Sequence, residues 1–272
     1  MGDAELMRQM YGDDVNAFLG FAHSHMGYWL EPNTQDFGEA QEELLRQVAT
    51  RLDLTAGDTV LDIGGGQGGT AIFLAEHYGV RVTLVDVVEE MVDAARRKVE
   101  SAGLADRISC VHDDITGWET DQRFDALIAV ESVYHIADQG AFFAKAASLL
   151  TPASRFCFTT YVSELRPRVV SNAYLVLTVG DRDIPTVDDY REAARSTDLD
   201  LEVEDVTRRV LPTSSELLQR EPYWSRLAEY HRVHMGRWAV WLMPLFRRWN
   251  NRTIRNDRLR YLLLTGGPVP PR

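Results

Sequence analysis

The chain is poor in sulfur and has no apolar run of membrane length. Of its 272 residues only Cys110 and Cys157 are cysteines. Each falls in a segment patterned as a strand, where cysteine serves as a small core residue. A disulfide scaffold is therefore excluded. No His/Cys cluster has ligand spacing, so no metal site is expected. The longest apolar runs fall short of the roughly 18 residues that a membrane span needs. The start, Met1-Gly2-Asp3-Ala4-Glu5, lacks the basic region and apolar stretch of a secretory signal, and a reducing cytoplasm is the expected location. Positive charge is scarce as well. Lys and Arg total 29 against 41 Asp and Glu, a net charge of −12. That balance excludes nucleic acid as a substrate, because phosphate contacts need a basic footprint. There are no repeats and no low-complexity tracts. What remains is an ordinary globular composition, 45% apolar, with enough for a real core.

The most informative stretch is Val60-Leu61-Asp62-Ile63-Gly64-Gly65-Gly66-Gln67-Gly68-Gly69, followed by Val82-Thr83-Leu84-Val85-Asp86. An apolar run reads as a buried strand, the glycines as a tight turn, and Thr70 to Tyr78 as the start of a helix. A second buried strand ends in Asp86, 18 residues after Gly68. This is a nucleotide-binding βαβ unit, in which glycines let the backbone approach a ligand and the terminal acid accepts ribose hydroxyls.

The pattern continues along the chain. Strands are predicted at 58–63, 80–86, 107–112, 124–130 and 153–161, with helices at 69–78, 88–102 and 138–150. Strands alternating with helices imply a parallel, doubly wound α/β sheet. Beyond Tyr161 the spacing predicts a loop-rich stretch over 162–185, a helix over 186–196 and a strand from Leu199 to Val206. Residues 213–253 follow as an aromatic-rich helical segment, and a final strand runs from Arg258 to Thr265. A strand, a helical insertion and a closing strand suit a seven-stranded sheet whose last pair is antiparallel. One domain, 1–272, is expected, with a helical lid over 1–55, a core over 56–161 and a substrate-side region with a helical cap over 162–272.

The glycine order is D-x-G-x-G-x-G rather than the dinucleotide order G-x-G-x-x-G. It resembles motif I of the class I S-adenosylmethionine-dependent methyltransferases, whose Rossmann-like sheet has this layout. The resemblance implies that Asp62, Gly64, Gly66 and Gly68 shape the cofactor turn and that Asp86 holds the ribose. It places the adenine amino group on Asp113 or Asp114, two adjacent acids between which the register stays open. Ala129-Val130-Glu131-Ser132-Val133-Tyr134-His135 resembles motif IV, beside the reactive methyl, with Val130 against the cofactor. His135 is the best-placed base, neutral and basic near pH 7, and Tyr134 and Glu131 are close substitutes. Arg8-Gln9-Met10-Tyr11 and His25-Met26-Gly27-Tyr28-Trp29 resemble the lid of natural-product O-methyltransferases. Tyr11 and Tyr28 would then close over the cofactor and Trp29 would line the substrate mouth, unless Tyr28 and Trp29 only pack their segment onto the sheet. One departure stands out: relatives that methylate hydroxyls carry an acid just after the fifth strand, where this chain has Thr159-Thr160-Tyr161.

The far end of the chain is unlike the rest. Residues 212–260 hold ten arginines against four acids, a local charge of 10 − 4 = +6. They are interleaved with rings that include Trp238 and Trp241. Rings stabilise cations and arginine forks bind phosphate. Tyr161, Trp238 and Trp241 are thus expected to contact substrate. The expected reaction is methylation of a small molecule in natural-product biosynthesis, at a hydroxyl with His135 as base. The alternatives are carbon methylation of a prenyl diphosphate, with magnesium only in that case, and a cyclase that binds the cofactor without consuming it. Partners beyond a small-molecule substrate are limited to a possible second copy of the chain, with no nucleic acid and no membrane.

Overall fold

The computed structural model describes residues 25–30, 36–163, 184–210 and 259–269, together with His23 and single positions between 225 and 252. Helix α1 (Phe37–Leu52) begins at a capping box. The Asp36 carboxylate accepts the Glu39 N–H at 2.8 Å, and the Glu39 carboxylate accepts the Asp36 N–H at 3.3 Å, which satisfies two otherwise orphaned donors. Leu44, Leu45 and Val48 fix its inner face, all fully buried. The alternating unit then runs β1 (Thr59–Ile63), α2 (Gly69–Tyr78), β2 (Arg81–Asp86), α3 (Glu89–Ser101), β3 (Ile108–His112), β4 (Phe124–Val130), α4 (Gln139–Leu149) and β5 (Leu150–Ser163). After it come α5 (Val187–Arg195), β6 (Glu202–Asp205) and β7 (Leu259–Gly266).

The seven strands form one sheet in the order β3-β2-β1-β4-β5-β7-β6. The pairings β3·β2, β2·β1, β1·β4 and β4·β5 are parallel. β7 runs antiparallel to both β5 and β6, the closing arrangement expected from the sequence. Successive residues of each inner strand feed opposite cores. Val60, Ile128 and Tyr261 join the cluster with α1, α2 and α3. Leu61, Leu127 and Leu262 join the one with α4 and α5. A sheet covered on both faces needs such continuous apolar strands. Strand order reverses between β1 and β4, and the carboxyl ends of these two strands open the crevice in which such sheets bind ligands.

Strands β5 and β6 depart most from the sequence pattern. β5 starts at Leu150, not 153, because Leu150 pairs with Phe124 before a register shift that next pairs Ala126 with Arg155. Pro152 sits inside that irregularity, where no ladder donor is required. β6 is shorter than the predicted 199–206, since Leu199 forms only an isolated bridge to Pro268. Most of the expected lid and cap, including Tyr11 and Trp238, lies outside the described residues. Among the described residues no helix is long and apolar enough to cross a membrane.

Candidate active site

The glycine turn lies between β1 and α2, at the carboxyl edge of the sheet. Gly64 holds φ at +66°, and a Cβ there would stand 2.5 Å from the Ser132 Cβ. Its N–H donates to the Val85 carbonyl at 2.8 Å. Ser132 Oγ in turn donates to the Ile63 carbonyl at 2.6 Å. The turn that follows β4 is therefore locked against the turn that follows β1. Gly66 also has positive φ, +53°, but a Cβ on it would meet nothing within 4 Å. The space above it is open. Gly65, which the motif does not mark, is required too, because its Cβ would stand 2.5 Å from the Leu84 side chain and 2.7 Å from Asp62 Oδ2.

Acids surround this turn. Asp86, at the end of β2, accepts the Gly66 N–H on Oδ2 and the Val88 N–H on Oδ1, both at 2.9 Å. Burial raises its pKa above the usual carboxylate range, against the pull of those two donors. Asp62 lies beneath the loop, 1% exposed, and its Oδ2 has no hydrogen bond among the described residues. Burial first and the Asp86 charge second push it to about 7. The two adjacent acids differ in their surroundings. Asp114 Oδ1 accepts both the N–H and the hydroxyl of Thr116, at 2.9 and 2.8 Å, so it is spent on its own turn. Among the described residues Asp113 accepts only the Asp114 N–H, at 2.8 Å, and its own N–H donates to the Asp86 carbonyl at 3.1 Å.

Across the crevice, β4 ends in Val130, which packs against the core, and in Glu131, whose φ of +55° is rare outside glycine. The Glu131 carboxylate is partly buried. Its Oε1 accepts the Met26 N–H at 2.7 Å and the Tyr261 hydroxyl at 2.9 Å. Desolvation outweighs both donors and lifts its pKa to about 7. Residues Val133–His135 form a single 3-10 turn. The Tyr134 and His135 rings lie 4.2 Å apart, and Tyr134 meets Tyr161 edge-on at 5.5 Å. Tyr161 meets Tyr261 the same way at 5.0 Å. Tyr261 and Thr159 are the residues the sequence reading missed. The signal was a hydroxyl inside the apolar run of β7.

The segment 25–30 is drawn onto this site. Buried Gln41 donates from its side-chain amide to the His23 and His25 carbonyls, at 2.7 and 2.6 Å. Tyr28 N–H donates to the Ala40 carbonyl at 2.7 Å. His25 Nδ1 donates to the Met26 carbonyl at 2.8 Å, and burial drives its pKa down to about 3, so the ring is neutral. Trp29 does not line a mouth: it is 1% exposed and packs in a small cluster with Phe37 and Ala40. Tyr28 is likewise a core residue. Trp241 is 77% exposed, a surface position rather than a pocket wall. A cavity of about 590 Å³ lies on the α2–α3 side, lined by His23, Gly69, His77, Arg97 and Lys98 among others. It includes none of Asp86, Glu131 and His135, so it is not the reaction centre.

The donor set decides what fits the crevice. Residues 62–69 contain no basic side chain; the Asp86 carboxylate holds the Gly66 N–H at the edge of the open space, with Asp62 buried beneath the loop and Asp113 tied to the Asp86 carbonyl. Such a cradle suits a cationic nucleoside with a free ribose diol and repels a pyrophosphate. The family described as Methyltransferase domain matches residues 60–153, the span that carries this cradle. A methyltransferase named GfsG from Streptomyces halstedii is 32% identical over 222 residues, covering 79% of this chain and 76% of that protein.

The chain belongs to the S-adenosylmethionine-dependent methyltransferases.

A second relative of this methyltransferase, 27-O-demethylrifamycin SV methyltransferase of Amycolatopsis mediterranei, is 29% identical over 222 residues, 80% of this chain and 78% of that one. Solved structures agree on the fold. The [4+2]-cyclase SpnF superposes with a TM-score of 0.75 at 21% identity, covering 97% of this methyltransferase and 94% of that chain. Geranyl diphosphate C-methyltransferase of Streptomyces coelicolor gives 0.74 at 17%, covering 98% of each chain.

Proposed function

We propose that this methyltransferase methylates a hydroxyl of a natural-product scaffold (a polyketide, sugar or aromatic acceptor), with His135 as base. The carrying observation is the contact of Gly64 with Ser132, which fixes the 131–135 turn beside the cofactor crevice. The demethylrifamycin methyltransferase, similar over most of its length, supports the hydroxyl acceptor. When bound, S-adenosylmethionine supplies an electrophilic methyl on a cationic sulfur. Gly64, Gly66 and Gly68 would carry it, with Asp62 beneath, Asp86 on the ribose hydroxyls, Asp113 on the adenine amine and Val130 along its edge. His135 would take the proton that the acceptor hydroxyl gives up on methylation. Alignment of nucleophile and methyl supplies most of the acceleration, so the chief task of the 131–135 turn is orientation. Tyr161 is the acceptor-side aromatic, and the more deeply buried Tyr134 packs edge-on against it. Residues 1–55 act as lid, 56–161 as cofactor core and 162–272 as acceptor side of one domain. The free thiols Cys110 and Cys157 fit a reducing cytoplasm.

A second reading is carbon methylation of a prenyl diphosphate. The edge-on series Tyr134–Tyr161–Tyr261 beside Glu131 favours it, because rings stabilise a carbocation and a carboxylate takes its proton. The test is formation of S-adenosylhomocysteine with demethylated macrolide and ansamycin acceptors, against geranyl diphosphate with magnesium. Turnover only with hydroxyl acceptors, abolished in His135→Ala, supports the first reading. Turnover only with geranyl diphosphate, abolished in Glu131→Gln and kept in His135→Ala, replaces it with the second. Acceptor conversion without cofactor consumption would make the chain a cyclase.

A further inference from the structure

We infer that Tyr261 and Thr159 are positioning residues for Glu131, holding one carboxylate oxygen so that the other faces the acceptor. The inference rests on the reading that places methyl transfer at the 131–135 turn.

Three contacts close a ring across β4, β5 and β7. Glu131 N–H donates to Thr159 Oγ1 at 2.9 Å. Tyr261 Oη lies 3.0 Å from Thr159 Oγ1 and 2.9 Å from Glu131 Oε1. A phenol carries a single proton. With that proton on Glu131, the Thr159 hydroxyl gives its own to Tyr261, and Thr159 Oγ1 accepts the Glu131 amide. Every hydroxyl in the ring then donates once and accepts once. Chains of this kind polarise one another in a low-dielectric site. Thr159 and Tyr261 are both fully buried, and β5–β7 pairing fixes them relative to one another through Thr159↔Leu263 and Tyr161↔Tyr261.

Oε1 also takes the Met26 N–H, so two donors from different parts of the chain immobilise one oxygen. Among the described residues Oε2 accepts no hydrogen bond. Glu131 keeps its left-handed φ of +55°, a conformation that persists only where the surroundings hold it. The Glu131 N–H is held here by both the Thr159 carbonyl, at 3.3 Å, and Thr159 Oγ1, at 2.9 Å. The ring also gives a use to the first residue of Thr159-Thr160-Tyr161, the run where an acid was expected in hydroxyl-methylating relatives, which lies inside β5 rather than after it.

The test compares wild type with Tyr261→Phe, which keeps the edge-on ring contact with Tyr161 and removes only the hydroxyl. The infrared band of the protonated Glu131 carboxyl, identified by its loss in Glu131→Gln, is titrated in both proteins without acceptor. Loss of a donor to the carboxylate moves the midpoint to higher pH. Among the described residues the titratable group in contact with Glu131 is Tyr261, from β7; Tyr161 packs on Tyr261, Tyr134 and His135 follow Glu131 on its own turn, and His25 precedes Met26 on the N-terminal segment. None of these others is altered by the substitution. In turnover, kcat is expected to fall roughly ten- to a hundredfold, with the acid limb of its pH profile displaced upward and S-adenosylhomocysteine affinity unchanged. Thr159→Val should reproduce the effect and Thr159→Ser should restore it, a pair that decides the matter even where Tyr261→Phe fails to fold. An unmoved band with unmoved kcat in Tyr261→Phe and Thr159→Val overturns the inference. A moved band without methyl transfer to any hydroxyl acceptor upholds it and overturns the hydroxyl reading instead.

Discussion

Three glycines with similar backbone strain and different surroundings separate the duties of the cofactor turn. Gly64, Gly66 and Gly103 have φ of +66°, +53° and +70°. Alanine at any of them incurs the left-handed penalty of about 1–2 kcal/mol. At Gly103 a Cβ meets nothing within 4 Å and the position is far from the crevice, so the penalty stands alone. For a chain of this size that lowers Tm by roughly 2–8 °C. At Gly64 the new methyl would stand 2.5 Å from the Ser132 Cβ and 2.9 Å from its Oγ. Overpacking adds about 1–3 kcal/mol, for a total loss of about 2–5 kcal/mol and a Tm shift of roughly 4–20 °C. Ser132 must also move, taking the 131–135 turn with it, so kcat should fall even where cofactor still binds. At Gly66 the methyl projects into open space that the cofactor would occupy. There stability should track Gly103→Ala while S-adenosylhomocysteine affinity drops roughly five- to a hundredfold. Thermal unfolding, calorimetry with S-adenosylhomocysteine and steady-state turnover on the three variants measure each part. Gly64→Ala with the same Tm shift as Gly103→Ala and wild-type kcat would refute the contact with Ser132. Full affinity in Gly66→Ala would refute the placement of cofactor over that residue.

Three further outcomes are expected. His135→Ala should lower kcat by roughly 10²–10⁴-fold and leave S-adenosylhomocysteine affinity unchanged, as read by initial rates and calorimetry. Asp62 titrates near 7 in the folded chain against an ordinary 3.8. The folded state therefore holds a proton that the unfolded state has lost, and stability of the cofactor-free protein declines as pH rises through that window. Asp62→Asn should flatten this part of a Tm-against-pH curve. Asp113→Asn should weaken S-adenosylhomocysteine binding, whereas Asp114→Asn should lower Tm by loosening the Thr116 turn with little change in affinity; the reverse pattern would exchange their roles.

Much of the architecture was legible because it is written in local order. Val60 to Ile63 and Val82 to Val85 are continuous apolar runs because both sheet faces are buried, and the α2 boundaries follow from the flanking glycines. The acids Asp62 and Asp86 were legible for the same reason, each lying at a fixed step from a glycine. β5 was misjudged at its start, since only pairing with Phe124 across an irregular register makes Leu150 a strand residue. For Trp29 the sequence left two roles open, and the structure shows the packing one. An aromatic beside a lid motif looks identical whether it faces a ligand or, as here, Phe37 and Ala40.

By itself the sequence determined the strand–helix alternation, the cofactor turn and the identity of the motif residues, all of which depend on neighbours a few positions apart. Only the tertiary structure decided which distant groups share a site. Met26, Thr159 and Tyr261 meet Glu131 across separations of 105, 28 and 130 residues, and no spacing rule spans such distances. Strand order brings them together. β7 inserts between β5 and β6 and sets Tyr261 next to Tyr161, while α1 pins the 25–30 segment over the end of β4. Hydrogen bonds at that junction are short-range forces acting on long-range geometry, and that geometry exists only once the sheet has formed.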